Sequence, residues 1–482
     1  MTAASTTREG MPTHEGDLSV EAHGFEPIPE DSRYGSVSRV FTVWFTPNLV
    51  PAAFFIGTLA AADFLQVGFV TGLVAILVGN VLGSILVGAL STMGPATGMA
   101  QMPLARLPFG KSIVVPGVLN WLSCIGWDGV NNVFGAAAIS LLTGLPFIVS
   151  LLIIVVCQGL LGVIGYEAIH TFEKYMAIVL GVMFAVLTVA IVGQAGIIGQ
   201  AGTGVGRTDG FTGADQVGAF ILMVAIVASF VLAWALYASD YSRYLPRDAS
   251  RSRIFWNTVL GLTLAAGWIE VLGLLVADKA TGAAVGTIND ILGGGLLGAL
   301  AMIAIAIGTV AVNAMNDYTG SLSLLAAGGR IPRVYSAIAV AVLGFLFTIY
   351  LNAGDLQGKF ESYLLFILYW VTPWAGVVLT DWWLRGRRAD VRGLTDFSRL
   401  HSGVLALVAL VVGFVVSLPF QTSSFGDEIA KATGLPINAW APTLHFADIA
   451  FVVGFVVAAL IYWIGVKAGI GVKGADTAAS VA

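Results

Sequence analysis

The chain has 482 residues, of which 57% are hydrophobic and only 11% are charged, and its formal net charge is -5. A soluble domain carries roughly 25% charged residues, so this composition excludes a soluble globular protein and points to an all-α polytopic membrane protein. No basic patch suggests nucleic acid, and Cys124 and Cys157 both sit in apolar runs without CxxC or metal-site spacing, which excludes a disulfide framework.

Residues 1–36 form a polar leader with no apolar stretch behind a basic start, so no cleavable signal peptide is expected. Within it, Gly24-Phe25-Glu26-Pro27-Ile28-Pro29 favours an extended chain, because each proline fixes its own φ and restricts the residue before it. Apolar runs of roughly 20 residues then fall near 39–62, 67–91, 112–142, 145–165, 176–196, 217–239, 254–277, 291–326, 333–352, 362–383, 402–421 and 445–469, numbered here as segments 1 to 12. If all twelve cross the bilayer, both termini lie on one side. The leader, the loops after even-numbered segments and the tail then hold 19 of the 23 Lys and Arg, while the opposite loops hold only Arg207, Lys279, Lys359 and Lys431. By the positive-inside rule both ends are cytoplasmic.

Segment 1 carries Pro47, Asn48 and Pro51 at its middle. The helical hydrogen bonds lost there must be replaced by protein, ion or water, and such broken helices mark the binding sites of secondary transporters. Segment 3 contains the stretch Asn120 to Ile139, with Trp127, Asp128, Asn131 and Asn132 near mid-membrane, where polar groups are costly. Trp127 and Asn131 are four residues apart and share one helix face. Ring above amide suits a flat, polar-edged ligand, which the ring can stack on and the amide can bond in both senses.

The glycine-rich loop Gly202–Gly206 has neither a preceding strand nor a following Lys-Ser/Thr, and reads as a flexible external loop rather than a phosphate cradle. Segment 6 is the partner of segment 1 in a five-plus-five repeat, and a break is inferred in Ala228 to Trp234, although that stretch holds neither proline nor glycine. Pro47 to Ser229 and Asn131 to Asn313 are both 182 residues apart, a weak sign of the repeat. The organisation is then a leader (1–36), a first repeat (37–196), a second repeat (217–383), two additional C-terminal segments (401–469) and a cytoplasmic tail (470–482). Asp240 to Tyr244, followed by Arg247, Arg251 and Arg253, marks the cytoplasmic end of segment 6 and offers inner-gate ion pairs.

The leader run Gly24 to Pro29, Met93-Gly94-Pro95 to Arg106-Leu107-Pro108-Phe109-Gly110, Ile125 to Asn131, and Trp234 to Asp240-Tyr241 with Tyr244-Leu245-Pro246 together resemble the nucleobase-cation symporter-1 family, and within it the purine-cytosine permeases. The resemblance covers segments 1 to 10. It implies a LeuT-like inverted-repeat fold of twelve helices in the plasma membrane, a flat heterocycle held at the midplane and cation-driven uptake, with no catalysis and no cofactor. Trp127 and Asn131 match the aromatic and amide that contact the base, and Trp234, with Phe230 beside it, matches the aromatic on the opposite face. In segment 8 either Asn313 or Asn316 meets the ligand edge, with Asn316 preferred. An alternative for the same residues is structural, since Asn in a membrane helix also joins helices for roughly 0.6 to 2 kcal/mol.

Sodium-coupled relatives place paired hydroxyls in segment 8, but Ala311 to Met315 holds no Ser or Thr, and only Thr309 lies within a turn of it. Proton coupling is therefore favoured over sodium, and the candidates for it are Glu270, Asp128 and Asp317, with Glu270 matching a family glutamate. Asp128 departs from relatives that carry a small neutral residue there. An allantoin, hydantoin, uracil or thiamine carrier of the same family is the alternative function. A membrane enzyme is disfavoured because the five histidines are scattered, and a channel because no pore loop or charge ring repeats.

Overall fold

The computed structural model describes residues 26–164, 166–193, 206–280, 284–329 and 333–470. Residues 1–25 of the leader, most of the Gly202–Gly206 loop and the tail from residue 471 lie outside them. Every regular element among the described residues is helical. Eight helices are long and apolar enough to cross a bilayer, or ten when each of two bent pairs is taken as one span. The chain is a multi-pass membrane protein. Two shorter apolar helices, Phe147–Leu161 and Ile178–Gly193, occupy the positions of segments 4 and 5.

Segment 1 breaks where its prolines lie. Helix Val37–Phe45 tightens into a 3-10 turn over Thr46–Asn48, Val50 is extended, and helix Pro51–Thr58 leaves at 62° to the first half. Proline has no N–H to donate and is best accommodated in a first turn, the position Pro51 takes. The side chains of Thr46 and Asn48 bond back to the carbonyls of Thr42 (3.0 Å) and Trp44 (2.6 Å), four residues before each.

Segment 6 differs from expectation. Ser229 lies inside the regular helix Gly213–Leu232, and the winding changes only at the 3-10 turn Ala233–Tyr237 before helix Ala238–Ser242. With no proline to force a bend, the helix overwinds and continues as one span of 30 residues. The equal 182-residue spacings therefore do not map one break onto the other.

Three connections are more ordered than loops. Between segments 2 and 3 the chain forms the short buried helices Met93–Thr97, Gln101–Leu104 and Arg106–Phe109 before segment 3 proper, Val114–Thr143. Segment 8 begins at Gly295, because Gly293, Gly294 and Gly295 all take positive φ (73°, 61° and 55°) and turn the chain between helix Ala284–Ile291 and helix Gly295–Ala326. Segment 10 begins earlier than the hydropathy suggests, at Leu356, where Asp355 caps the helix by accepting from the Gly358 N–H (3.0 Å).

Segments 1, 2, 6 and 7 pack into one group and segments 3, 4, 8 and 9 into another, while segment 12 packs against segments 10 and 11. Segments 1 and 7 meet backbone to backbone. A Cβ added at Gly57 would lie 1.9 Å from the Glu270 carbonyl oxygen, and one at Gly273 would lie 1.9 Å from that of Phe54. Gly57→Val is expected to lower the thermal unfolding midpoint of the detergent-purified protein, with an overpacking cost of about 1–3 kcal/mol or more. An unchanged midpoint would contradict this contact.

Candidate substrate-binding site

The two breaks face each other. The Trp234 indole N–H donates to Asn48 Oδ1 (3.1 Å), joining the overwound turn of segment 6 to the broken middle of segment 1. Beside this contact lies a narrow cavity of about 20 Å³. Segment 1 contributes Pro47 and Val50 to its wall, segment 3 Trp127 and Asn131, segment 6 Phe230, Trp234 and Tyr237, and segment 8 Asn316. Pro51 starts its helix one residue beyond Val50.

Four side chains of the wall, Trp127, Phe230, Trp234 and Tyr237, are aromatic. The Trp127 ring stands edge-on to Phe230 (5.7 Å between centroids, 72°) and to Tyr363 of segment 10 (5.4 Å, 80°). Trp234 meets Tyr237 (5.2 Å, 66°) and Trp44 (5.9 Å, 65°) in the same manner. Aromatic edges and faces hold each ring by their quadrupoles while leaving a flat surface for a further planar group.

The two asparagines of segment 8 take different places. Asn316 reaches the cavity, whereas Asn313 is fully buried behind it and bonds only to protein. Asn131 Nδ2 donates to Asn313 Oδ1 (3.0 Å), and Asn313 Nδ2 donates to Asn132 Oδ1 (2.9 Å) and Gln158 Oε1 (2.8 Å). Asp128 lies in this layer too, off the cavity wall. Its Oδ2 accepts from Gln158 Nε2 (2.6 Å) and its Oδ1 from Asn316 Nδ2 (3.0 Å). Asn316 Oδ1 accepts from the Tyr237 hydroxyl (2.8 Å), which also contacts Cys124 Sγ (3.3 Å).

The carboxyl of Asp317 lies against that of Asp128 and meets no hydrogen-bond donor among the described residues. Glu270 is elsewhere, fully buried between segments 7 and 2, where Asn80 Nδ2 donates to it (2.5 Å). Thr309 packs its side chain on Gly135 of segment 3.

On the side of the cavity that carries Asp240, the helix groups are tied together. Asp240 accepts from the Gln101 N–H (2.8 Å) and from the Thr319 hydroxyl (2.8 Å), and Arg243 donates to the Tyr318 hydroxyl (2.9 Å). These bonds run to the backbone of the connection before segment 3 and to hydroxyl groups of segment 8.

Sequence reasoning missed three polar residues. Tyr237 is three residues beyond Trp234 and so shares its helix face. Gln158 is the lone amide in the apolar run of segment 4. Glu361 is buried inside segment 10 and had been placed in a loop, because the Asp355 cap was not read as a helix start.

A family described as permeases for cytosine/purines, uracil, thiamine and allantoin matches residues 27–441. The putative purine-cytosine permease YxlA of Bacillus subtilis is 25% identical over 465 residues, covering 93% of this chain and 96% of that protein. The purine-cytosine permease fcyB of Emericella nidulans is 26% identical over 474 residues, covering 92% and 88%. A solved structure of Mhp1, a nucleobase-cation-symport-1 family transporter in a closed conformation with bromovinylhydantoin bound, is similar with a TM-score of 0.72 at 19% identity, covering 94% of this chain and 96% of that one. The likeness in fold extends over both helix groups and the segments around them.

Proposed function

Because the chain belongs to the family of permeases for cytosine/purines, uracil, thiamine and allantoin, we propose that it imports nucleobases, cytosine and purines, by proton symport with alternating access. The family is one of permeases rather than enzymes. In this reading twelve spans form a LeuT-like inverted repeat in the plasma membrane with both termini cytoplasmic. The observation that carries it is the aromatic cavity at the broken middle of segment 1, with Trp127 and Trp234 on its walls and the amides of Asn131 and Asn316 beside them. A planar heterocycle needs faces to stack on and a few polar groups to meet its edge. Uptake then requires the bonds of Asp240 to Gln101 and Thr319, and of Arg243 to Tyr318, to break for release inward.

Two observations favour a proton over sodium. Segment 8 offers no paired hydroxyls near Ala311 to Met315, and Thr309 is packed on segment 3 rather than supplying one, whereas a hard cation wants several oxygen ligands. The carboxyls of Asp128 and Asp317 sit together one hydrogen bond from the cavity, and two adjacent buried carboxyls are best accommodated when they hold a proton between them. Glu270 remains a second candidate, acting through Asn80 at the contact between segments 2 and 7.

The test is uptake of radiolabelled cytosine into proteoliposomes under an imposed pH gradient or a sodium gradient, with adenine, hypoxanthine, uracil, allantoin and thiamine as competitors. Accumulation driven by the pH gradient and blocked by purines is expected. Accumulation driven only by sodium would remove the proton, and no cytosine uptake by correctly inserted protein would move the substrate to another member of the family's range.

A further inference from the structure

We propose that Asp128, a positioning residue that does not reach the cavity, selects cytosine over uracil by fixing which way the site amides point. The proposal rests on the nucleobase reading above and deepens it. An ionised carboxylate only accepts hydrogen bonds, so both amides that face Asp128 must turn their NH2 groups toward it, Gln158 to Oδ2 and Asn316 to Oδ1. Each choice fixes the next.

Gln158, with its nitrogen committed, presents Oε1 to Asn313 Nδ2, and Asn313 then presents Oδ1 to Asn131 Nδ2. The relay ends at the cavity, where Asn131 Oδ1 makes no hydrogen bond among the described residues. Asn316 follows the same logic from its side. Its NH2 is held by Asp128, so its carbonyl receives the Tyr237 hydroxyl. What Asn131 leaves open at the cavity is therefore its carbonyl as an acceptor, beside the second N–H of an NH2 whose first is held by Asn313.

The 4-amino group of cytosine donates to such an acceptor. The 4-oxo group of uracil would set carbonyl against carbonyl and leave two desolvated acceptors unpaired, a mismatch that sites built around hydrogen bonds reject strongly. Asp317 reinforces the arrangement. Its carboxyl has no other donor, and when it carries a proton it donates that proton to Asp128 and leaves Asp128 an acceptor toward both amides.

Asp128→Asn keeps the shape but offers one acceptor and one donor, so one of the two facing amides must reverse. The experiment measures inhibition of cytosine binding by unlabelled uracil in purified protein. Wild type is expected to prefer cytosine by about 10-fold or more, and Asp128→Asn to narrow that ratio about 10-fold. Gln158→Met, which keeps the Asp128 carboxyl but removes its Oδ2 donor and the link from it to Asn313, is expected to narrow it too and serves if Asp128→Asn does not fold. A wild type that binds cytosine and uracil equally, or variants that keep the wild-type ratio, would overturn the role of Asp128. A wild type that binds no base would instead overturn the nucleobase reading and this proposal with it.

Discussion

Replacing Trp127 and Asn131 together by alanine is expected to reduce uptake about 100-fold while the protein still reaches the membrane. Stacking a base on an aromatic ring contributes about 1–3 kcal/mol, and a hydrogen bond left unmade in a desolvated site costs about 1–3 kcal/mol. Together these come to about 2–6 kcal/mol, a range centred above the roughly 2.8 kcal/mol that corresponds to 100-fold. The loss reaches beyond direct contact, because Trp127 also positions the edges of Phe230 and Tyr363, and Asn131 is the point where the buried amide relay meets the cavity. Uptake at the wild-type rate, with equal surface expression, would move the substrate out of this cavity.

Arg106→Ala is expected to lower stability by at least about 3 kcal/mol, since hydrogen bonds from a charged group contribute about 1.5–3 kcal/mol each. The guanidinium is 1% exposed and serves the end of segment 8, donating to the carbonyls of Ala326 (2.8 and 2.9 Å) and Leu325 (3.1 Å). It also donates to the Leu394 carbonyl (2.5 Å) in the loop after segment 10 and lies over the Phe397 ring at 5.5 Å. The last carbonyls of a helix have no intrahelical partner, and here one planar cation satisfies those of segment 8 while tying down a loop nearly 300 residues away in sequence. Lysine lacks that planar fork, so Arg106→Lys is expected to rescue little. The measurement is the yield of monodisperse protein and its thermal midpoint in detergent. Values equal to wild type for the alanine variant would refute the structural role.

Arg106 also illustrates what the sequence could and could not convey. It stood inside a run recognised only by resemblance, and nothing in its neighbours names carbonyls more than 200 positions later as its partners. Features set by local covalent chemistry were legible: proline in segment 1 breaks the helix, and the four-residue spacing of Trp127 and Asn131 puts both on the cavity. Features set by helix rotation were not. Asn313 and Asn316 are three residues apart on one helix, and only the packing of segments 3, 4 and 8 decides that one lines the cavity and the other is buried in the relay. The change of winding in segment 6 carries no proline or glycine signal, and it appears four residues beyond Ser229. Glu361 was misplaced for a different reason, because hydropathy averaging dilutes a polar first turn that a capping aspartate extends.

The chain's two cysteines make an internal clock for its conformational cycle. Cys157 lies on the exposed, apolar face of segment 4, toward hydrocarbon, where hydrophilic alkylating reagents do not arrive. Cys124 is sealed beneath the cavity against Tyr237 while the Asp240 contacts hold. Once they part, water reaches it from that side. In the proposed transport cycle, the rate at which a polar maleimide labels the unmutated protein would therefore count inward openings, and a transported base would change that count without any engineered reporter.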